Sequence, residues 1–307
     1  MRGRNFHTYE LDRVIEDIRD AYSFGARAIF LVDDNITLNV HRFEAFCQAI
    51  IDAELNEDID YILQAMTSAL ANHGERLASL MRRAGFRYVF LGIENILEDD
   101  LEFLKASSKN QEREHDKVVG NATQRSIDYL HDNQIYVVGG LIVGNPDDTK
   151  ESILTNLEYA KHNIDWPYIQ HPTPYPGTPM TQDFRERNLI ISESVEEYDG
   201  TTAVVRTEHL SAEEIEFLRW RADRWMKTRH FSVALWHSPG FVFRHGHKML
   251  AHTFRGSTWK SVLGIESSYD VFKRYRAIRK SERDYLNLED PSNNDVGILQ
   301  ESSSQSA

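Results

Sequence analysis

Gly139-Gly-Leu-Ile-Val-Gly-Asn-Pro146 is an apolar run that stops abruptly on a glycine, an amide and a proline. Three other stretches join an apolar run to a polar or glycine-rich end: Phe30-Leu-Val-Asp-Asp-Asn35, Phe90-Leu-Gly-Ile-Glu-Asn95 and His171-Pro-Thr-Pro-Tyr-Pro-Gly-Thr-Pro179. Short apolar runs bounded by turn-forming residues read as buried strands. Parallel strands of a barrel bring their carboxyl ends to one shared face, and chemistry in such folds sits there.

The flanking pattern supports alternation of helices and strands. Leu11, Val14, Ile15, Ile18 and Tyr22 fall on one helical face before a strand over Ala28 to Val32. Phe43, Phe46, Cys47, Ile50 and Ile51 form the next stripe, followed by a strand from about Ile59 to Ala65. Leu77, Leu80, Met81 and Ala84 mark a third helix leading into Arg87 to Ile93. Helices over 122–133 and 149–163 alternate with strands over Ile135 to Val143 and near Tyr168. The strand spacing of roughly 30 residues is that of βα units, so the fold is α/β, either a parallel barrel or a doubly wound sheet. The polar segment from Lys105 to Lys117 reads as a loop over the active face or a solvated helix edge. Ser211-Ala-Glu-Glu214 reads as a capping box opening a helix. The expected organisation is an incomplete barrel over residues 1–190, a mainly helical extension over 191–290 and a disordered tail over 291–307, rich in Ser, Asn, Gln and Asp.

Composition narrows the function classes. With 307 residues, 41% of them hydrophobic, the chain can bury an ordinary core. No run approaches the ~20 apolar residues of a membrane span, and the basic start is followed by an amphipathic helix, so a cytoplasmic location is expected. A net charge of −13 argues against nonspecific binding of nucleic acid, without excluding a local basic pocket. One cysteine, Cys47, excludes an internal disulfide and any metal or cluster site needing two thiolates from this chain. It lies on a helical apolar stripe, where a small core residue is expected.

Candidate site residues cluster at the strand ends. In Gly140-Leu-Ile-Val-Gly144 the glycines allow a ligand close to the backbone, with Ile142 as an apolar wall, or they merely relieve crowding in a barrel. Asp33, Asp34 and Asn35 could accept from an ammonium group or hold Mg²⁺, or could cap a helix. Glu94 and Asn95 are placed for hydroxyls or an amine, or for helix capping. Four prolines between Pro172 and Pro179 stiffen a loop and fix Tyr175 and Thr178, or simply make a rigid surface turn. His245, His247 and His252 match no zinc spacing. The basic stretch Arg219 to Arg229, with Trp220 and Trp225, could grip an anionic substrate or a nucleic acid, but after Glu213, Glu214 and Glu216 it reads rather as a salt-bridged amphipathic helix.

In this order, Asp33-Asp34-Asn35, Gly92-Ile93-Glu94, the Gly140 to Thr149 run and Thr173 to Pro179 resemble the radical S-adenosylmethionine superfamily, specifically the branch whose larger members often begin with a cobalamin-binding domain. The resemblance spans roughly Phe6 to Leu189. It implies a partial (β/α)6 barrel, here lacking its first strand, and in the complete protein a 4Fe-4S cluster that reductively cleaves S-adenosylmethionine to a 5′-deoxyadenosyl radical. It further implies an electron donor, a small-molecule or other substrate and possible use of cobalamin. By position, Asp33, Asp34 and Asn35 would lie at the methionyl amine, and Glu94 and Asn95 near the ribose or amine. Gly140, Ile142 and Gly144 would border the adenine, with Tyr175 in the loop closing the last strand end.

The departure is the family's CxxxCxxC motif, which this sequence lacks. The expectation is a chain starting just after those cysteines, cluster-free and inactive alone, with an unpaired edge on the strand over Ala28 to Val32. Two other readings are a non-catalytic binder of S-adenosylmethionine or a nucleoside, and a Mg²⁺-dependent barrel enzyme using Asp33, Asp34 and Glu94. Reading the gene in frame upstream of Met1 should reveal CxxxCxxC a short distance away. A start at Met1 with no upstream cysteines would count against the fragment reading.

Overall fold

The computed structural model describes residues 8–33, 36–106, 112–114, 117–237 and 239–284. Helix α1 (Leu11–Ser23) precedes β1 (Ala28–Leu31), and α2 (Val40–Asp52) precedes β2 (Asp60–Ala65). Then come α3 (Thr67–Arg83), β3 (Phe86–Glu94) and the short α4 (Glu98–Phe103). A hairpin of β4 (Glu112–Glu114) and β5 (Lys117–Gly120) is followed by α5 (Ala122–Asp132), β6 (Tyr136–Ile142), α6 (Lys150–Asn163), β7 (Trp166–Gln170) and α7 (Pro179–Glu186). After an irregular stretch over 187–211, with an antiparallel bridge between Ile190 and Val205, come the helices α8 (Ala212–His237), α9 (Pro239–Thr253), α10 (Trp259–Val262) and α11 (Ser268–Asp284).

Five strands form one parallel sheet in the order β1-β2-β3-β6-β7. That order never reverses, and right-handed crossovers then put every connecting helix on one face. This decides between the two α/β architectures in favour of an open, partial barrel. The two faces differ accordingly. Tyr61, Leu63, Val89, Leu91, Ile93, Val137, Leu141 and Ile169 are buried in a core shared with α1, α2, α3, α5, α6 and α8. Phe90, Ile142 and Gln170 on the other face are only half-buried, and Tyr168 is exposed. Among the described residues β1 is an edge strand, with Phe30 and Val32 exposed.

A bulge between β2 and β3 sets which side chains face which way. Tyr61 pairs with Phe86 and Ile62 with Tyr88, so Arg87 is an extra residue. Phe86 packs against Tyr61 and Phe43 in the core, while Arg87 turns outward and its Nε donates to Asp60 at 2.9 Å.

Two features differ from the sequence reading. The polar insertion holds β4 and runs into β5, its antiparallel partner, rather than being only loop, because main-chain pairing needs no apolar side chains. Helix α4 is an additional element whose acidic first turn, Glu98, Asp99 and Asp100, suits the positive end of its dipole. Ser211 does open α8 as a capping box: Glu214 N donates to Ser211 Oγ at 3.3 Å and Ser211 N to Glu214 Oε2 at 2.9 Å. His247 and His252 lie within α9. The 291–307 tail lies outside the described residues. No helix among the described residues is long and apolar enough to cross a membrane.

Gly139 packs directly against Ile164, the residue that follows α6. A Cβ there would overlap Ile164 Cδ1 and lie 2.7 Å from its Cγ1. Gly139→Ala is expected to lose about 1–3 kcal/mol in urea unfolding. Combined with Ile164→Ala, it should cost less than the sum of the two single changes; strict additivity would show that the overlap is relieved elsewhere.

Candidate functional site

A cavity of about 580 Å³ opens on the half-buried sheet face at the carboxyl ends of β2, β3, β6 and β7. Two sequence motifs meet in it: Gly92 and Glu94 from β3, and Gly140 and Ile142 from β6. Paired register brings them together, since Gly92 lies opposite Gly140 and Glu94 opposite Leu141. Glu94 has φ of +66°, the left-handed region that L side chains rarely occupy, and such backbone gathers at functional sites. Gly140 is required for steric reasons, because a Cβ would sit 2.7 Å from the Phe90 ring. Phe90 in turn packs edge-on against Tyr168 with centroids 5.3 Å apart, forming an aromatic floor.

The remaining candidates fall elsewhere. Asn95 is fully buried behind the cavity: its Nδ2 donates to Ile142 O at 3.1 Å and its Oδ1 accepts from Leu97 N at 2.9 Å. It ties the end of β3 to that of β6. Gly144 has φ of +97°, and a Cβ there would lie 2.9 Å from Ile215 of α8. Asp33 lines a separate hollow beside α1 and α2 with Tyr9, Leu31 and Arg42. Asp34 and Asn35 lie outside the described residues. Tyr175 does not line the cavity; its ring packs edge-on against Tyr198 at 5.8 Å. Asp33 and Glu94 thus face different hollows, and among the described residues no three His, Cys, Asp or Glu side chains converge as a metal site. Cys47 is fully buried on α2, and burial pushes its thiol well up, so it is held as a neutral core group.

The structure adds lining residues that motif reading did not single out: Gln64, Met66, Thr67, Ser68, Phe90, Tyr168 and Gln170. Alternation along β2, with Tyr61, Leu63 and Ala65 turned to the core, carries the signal for Gln64. The loop after β1 braces this rim, since Met66 N donates to Thr37 Oγ1 at 2.9 Å.

Behind the β6 end lies a buried acidic pair. Asp148 accepts from Gly144 N at 2.8 Å, from Asn145 N at 2.9 Å and from Ser152 Oγ. Burial raises its pKa above the usual carboxylate range, and the three donors offset only part of that rise. Burial, and then the Asp148 charge, push Asp100 up to about 6. On the neighbouring β7 end, His171 is driven down to about 3 by burial, helped by Arg219. It is therefore neutral. Val143 O can only accept, so Nδ1 carries the proton of their 3.0 Å bond.

An open parallel α/β sheet with a polar-rimmed, aromatic-floored cavity at its carboxyl ends has the form of a small-molecule or cofactor-binding partial barrel. No protein-family model matches the sequence. The chain is similar to an uncharacterized methyltransferase of Pyrococcus horikoshii, with 25% identity over 82% of this chain and 52% of that protein. It is also similar to the bacteriochlorophyllide d C-12(1)-methyltransferase of Chlorobaculum tepidum, with 23% identity over 60% of this chain and 38% of that one. The chain thus spans about half the length of these curated relatives, or less. Solved structures with matching regions include radical S-adenosylmethionine enzymes. One is a methyltransferase from Kitasatospora setae with cobalamin and a 4Fe-4S cluster bound, at 17% identity and a TM-score of 0.48, covering 67% of this chain and 40% of that one.

A carboxyl group whose folded-state pKa is raised stabilises the fold most below its unfolded value near 4 and loses that contribution as pH rises through about 6. Asp100→Asn should therefore raise the thermal midpoint at pH 7, with an advantage over wild type that grows between about pH 4 and 6. An advantage independent of pH would assign the buried charge to another group.

Proposed function

We propose that this chain forms the barrel part of a radical S-adenosylmethionine methyltransferase of the cobalamin-associated branch, and that the carboxyl-end cavity holds S-adenosylmethionine. The observation that carries the reading is the meeting of Gly92, Glu94, Gly140 and Ile142 in one cavity of about 580 Å³. Support also comes from the methyltransferases among its sequence relatives.

The residues fit such a ligand. The absent side chain at Gly140 lets the Phe90 ring lie against the strand, and a planar ring can stack on Phe90 beside Ile142. Glu94 offers carboxylate oxygens to an ammonium group or ribose hydroxyls, and Gln64 and Gln170 can each donate and accept. Once bound, S-adenosylmethionine supplies a transferable methyl group and, in radical chemistry, a reducible sulfonium. A 4Fe-4S cluster does not fit this chain's donor set. Such clusters need several thiolates, and the sequence has only Cys47, locked in the core. The role assigned to these residues is accordingly to bind and orient the ligand, with cluster ligation left to residues that this sequence does not contain.

Calorimetric titration with S-adenosylmethionine tests the reading. Wild type should bind one equivalent, and Gly140→Val, which drives a side chain into Phe90, should weaken binding at least about tenfold, equivalent to about 1.4 kcal/mol. Glu94→Ala should weaken it in the same direction. No binding to folded wild type, or unchanged affinity in Gly140→Val, would remove the assignment.

A further inference from the structure

A second cavity, of about 340 Å³, lies at the opposite end of the sheet, where β6 and β7 begin. Its lining includes Arg82, Lys161, Trp225, Arg229, His131 and His230. Cations in the last turns of α3 and α6 suit the negative ends of those helices, which accounts for Arg82 and Lys161 being basic. Dipoles do not account for Arg229, which lies in the body of α8.

The charge pairing is incomplete in a way that the chain's composition makes unusual. Acidic residues outnumber Lys and Arg by 48 to 35, yet neither Arg82 nor Arg229 has a carboxylate partner among the described residues. Among the described residues, Arg229 donates only to the main-chain Lys161 O. The one carboxylate of the lining, Asp165, is engaged by His131 Nε2 and by Val137 N, each at 2.8 Å. Trp225 supplies a half-exposed aromatic wall, with Lys161 Nζ 5.5 Å and the Arg229 guanidinium 5.7 Å from its ring centroid. His230 is buried in the wall, with Nε2 2.9 Å from Tyr88 Oη and Nδ1 without a partner.

We infer that this amino-end cavity binds a small organic anion, a phosphate ester with a planar or apolar body, the anionic group meeting Arg82 and Arg229 and the body lying on Trp225. Guanidinium groups suit phosphate oxygens through paired hydrogen bonds, and the volume lies at the small end of the range for ligand pockets. The site is separate from the carboxyl-end cavity and does not depend on what that cavity holds.

The probe is phenyl phosphate, titrated calorimetrically into the full chain. One saturable site is expected, weakened about tenfold or more in Arg82→Gln and in Arg229→Gln, each of which removes a charge-assisted contact. Phenol and inorganic phosphate should each bind more weakly than the ester, since each supplies only half of the recognised chemistry. Circular dichroism establishes that the variants are folded. Absence of saturable binding to wild type, or full affinity in both folded variants, overturns the site. Inorganic phosphate binding as tightly as the ester overturns the role of the Trp225 wall.

Discussion

The cavity depends on one buried amide. Asn95 donates to the main chain of β6 and accepts from the chain leaving β3, while Asn156 of α6 accepts from Ile96 N at 2.9 Å. Polar groups taken out of water must find partners, and here those partners are the backbone atoms that fix how β3 and β6 end. Gly92, Glu94, Gly140 and Ile142 share a wall because those two ends cannot slide past one another. An apolar residue of similar size at position 95 would leave the Ile142 carbonyl and the Leu97 amide to seek other partners, loosening the rim without touching any ligand.

The same end of the sheet holds several buried ionisable groups, and they are kept in defined states by neighbours rather than by solvent. Asp148 is surrounded by donors, whereas Asp100 sits close enough to feel its charge. His171 is neutral and bound to Val143 O. These groups line up behind the strand ends rather than inside the cavity. Their effect is to hold the Gly144 turn and the β7 exit in place, and Ile215 of α8 closes over the same turn.

Strands and helices around the core were legible in the sequence because burial on one sheet face imposes apolar runs with sharp ends. The strand expected over Ile59 to Ala65 is β2, and that over Arg87 to Ile93 is β3 with one residue more at each end. The hairpin and α4 were hidden, since neither contributes a continuous apolar signal. For the site, Glu94, Gly140 and Ile142 were legible through their glycine-punctuated strand ends. Asn95 carried the same signal, but its amide is consumed by main-chain atoms, which composition does not reveal. Gln64, Tyr168 and Gln170 were not singled out because their side of the sheet becomes a cavity wall only once four strands are laid in order.

The extra residue at Arg87 has a further consequence for the whole sheet. Before it, the even-numbered Phe86 points to the helices; after it, odd numbers do, in Val89, Leu91 and Ile93. The parity of β3 is reset in mid-strand. Tyr88 and Phe90 turn away from the helices only because of this shift: in a continuous ladder with Arg87 paired to Ile62, Val89, Leu91 and Ile93 would face the cavity side and the aromatic rings the helical layer. The identity of the surface offered to a ligand is thus encoded in a count of residues as much as in their kinds.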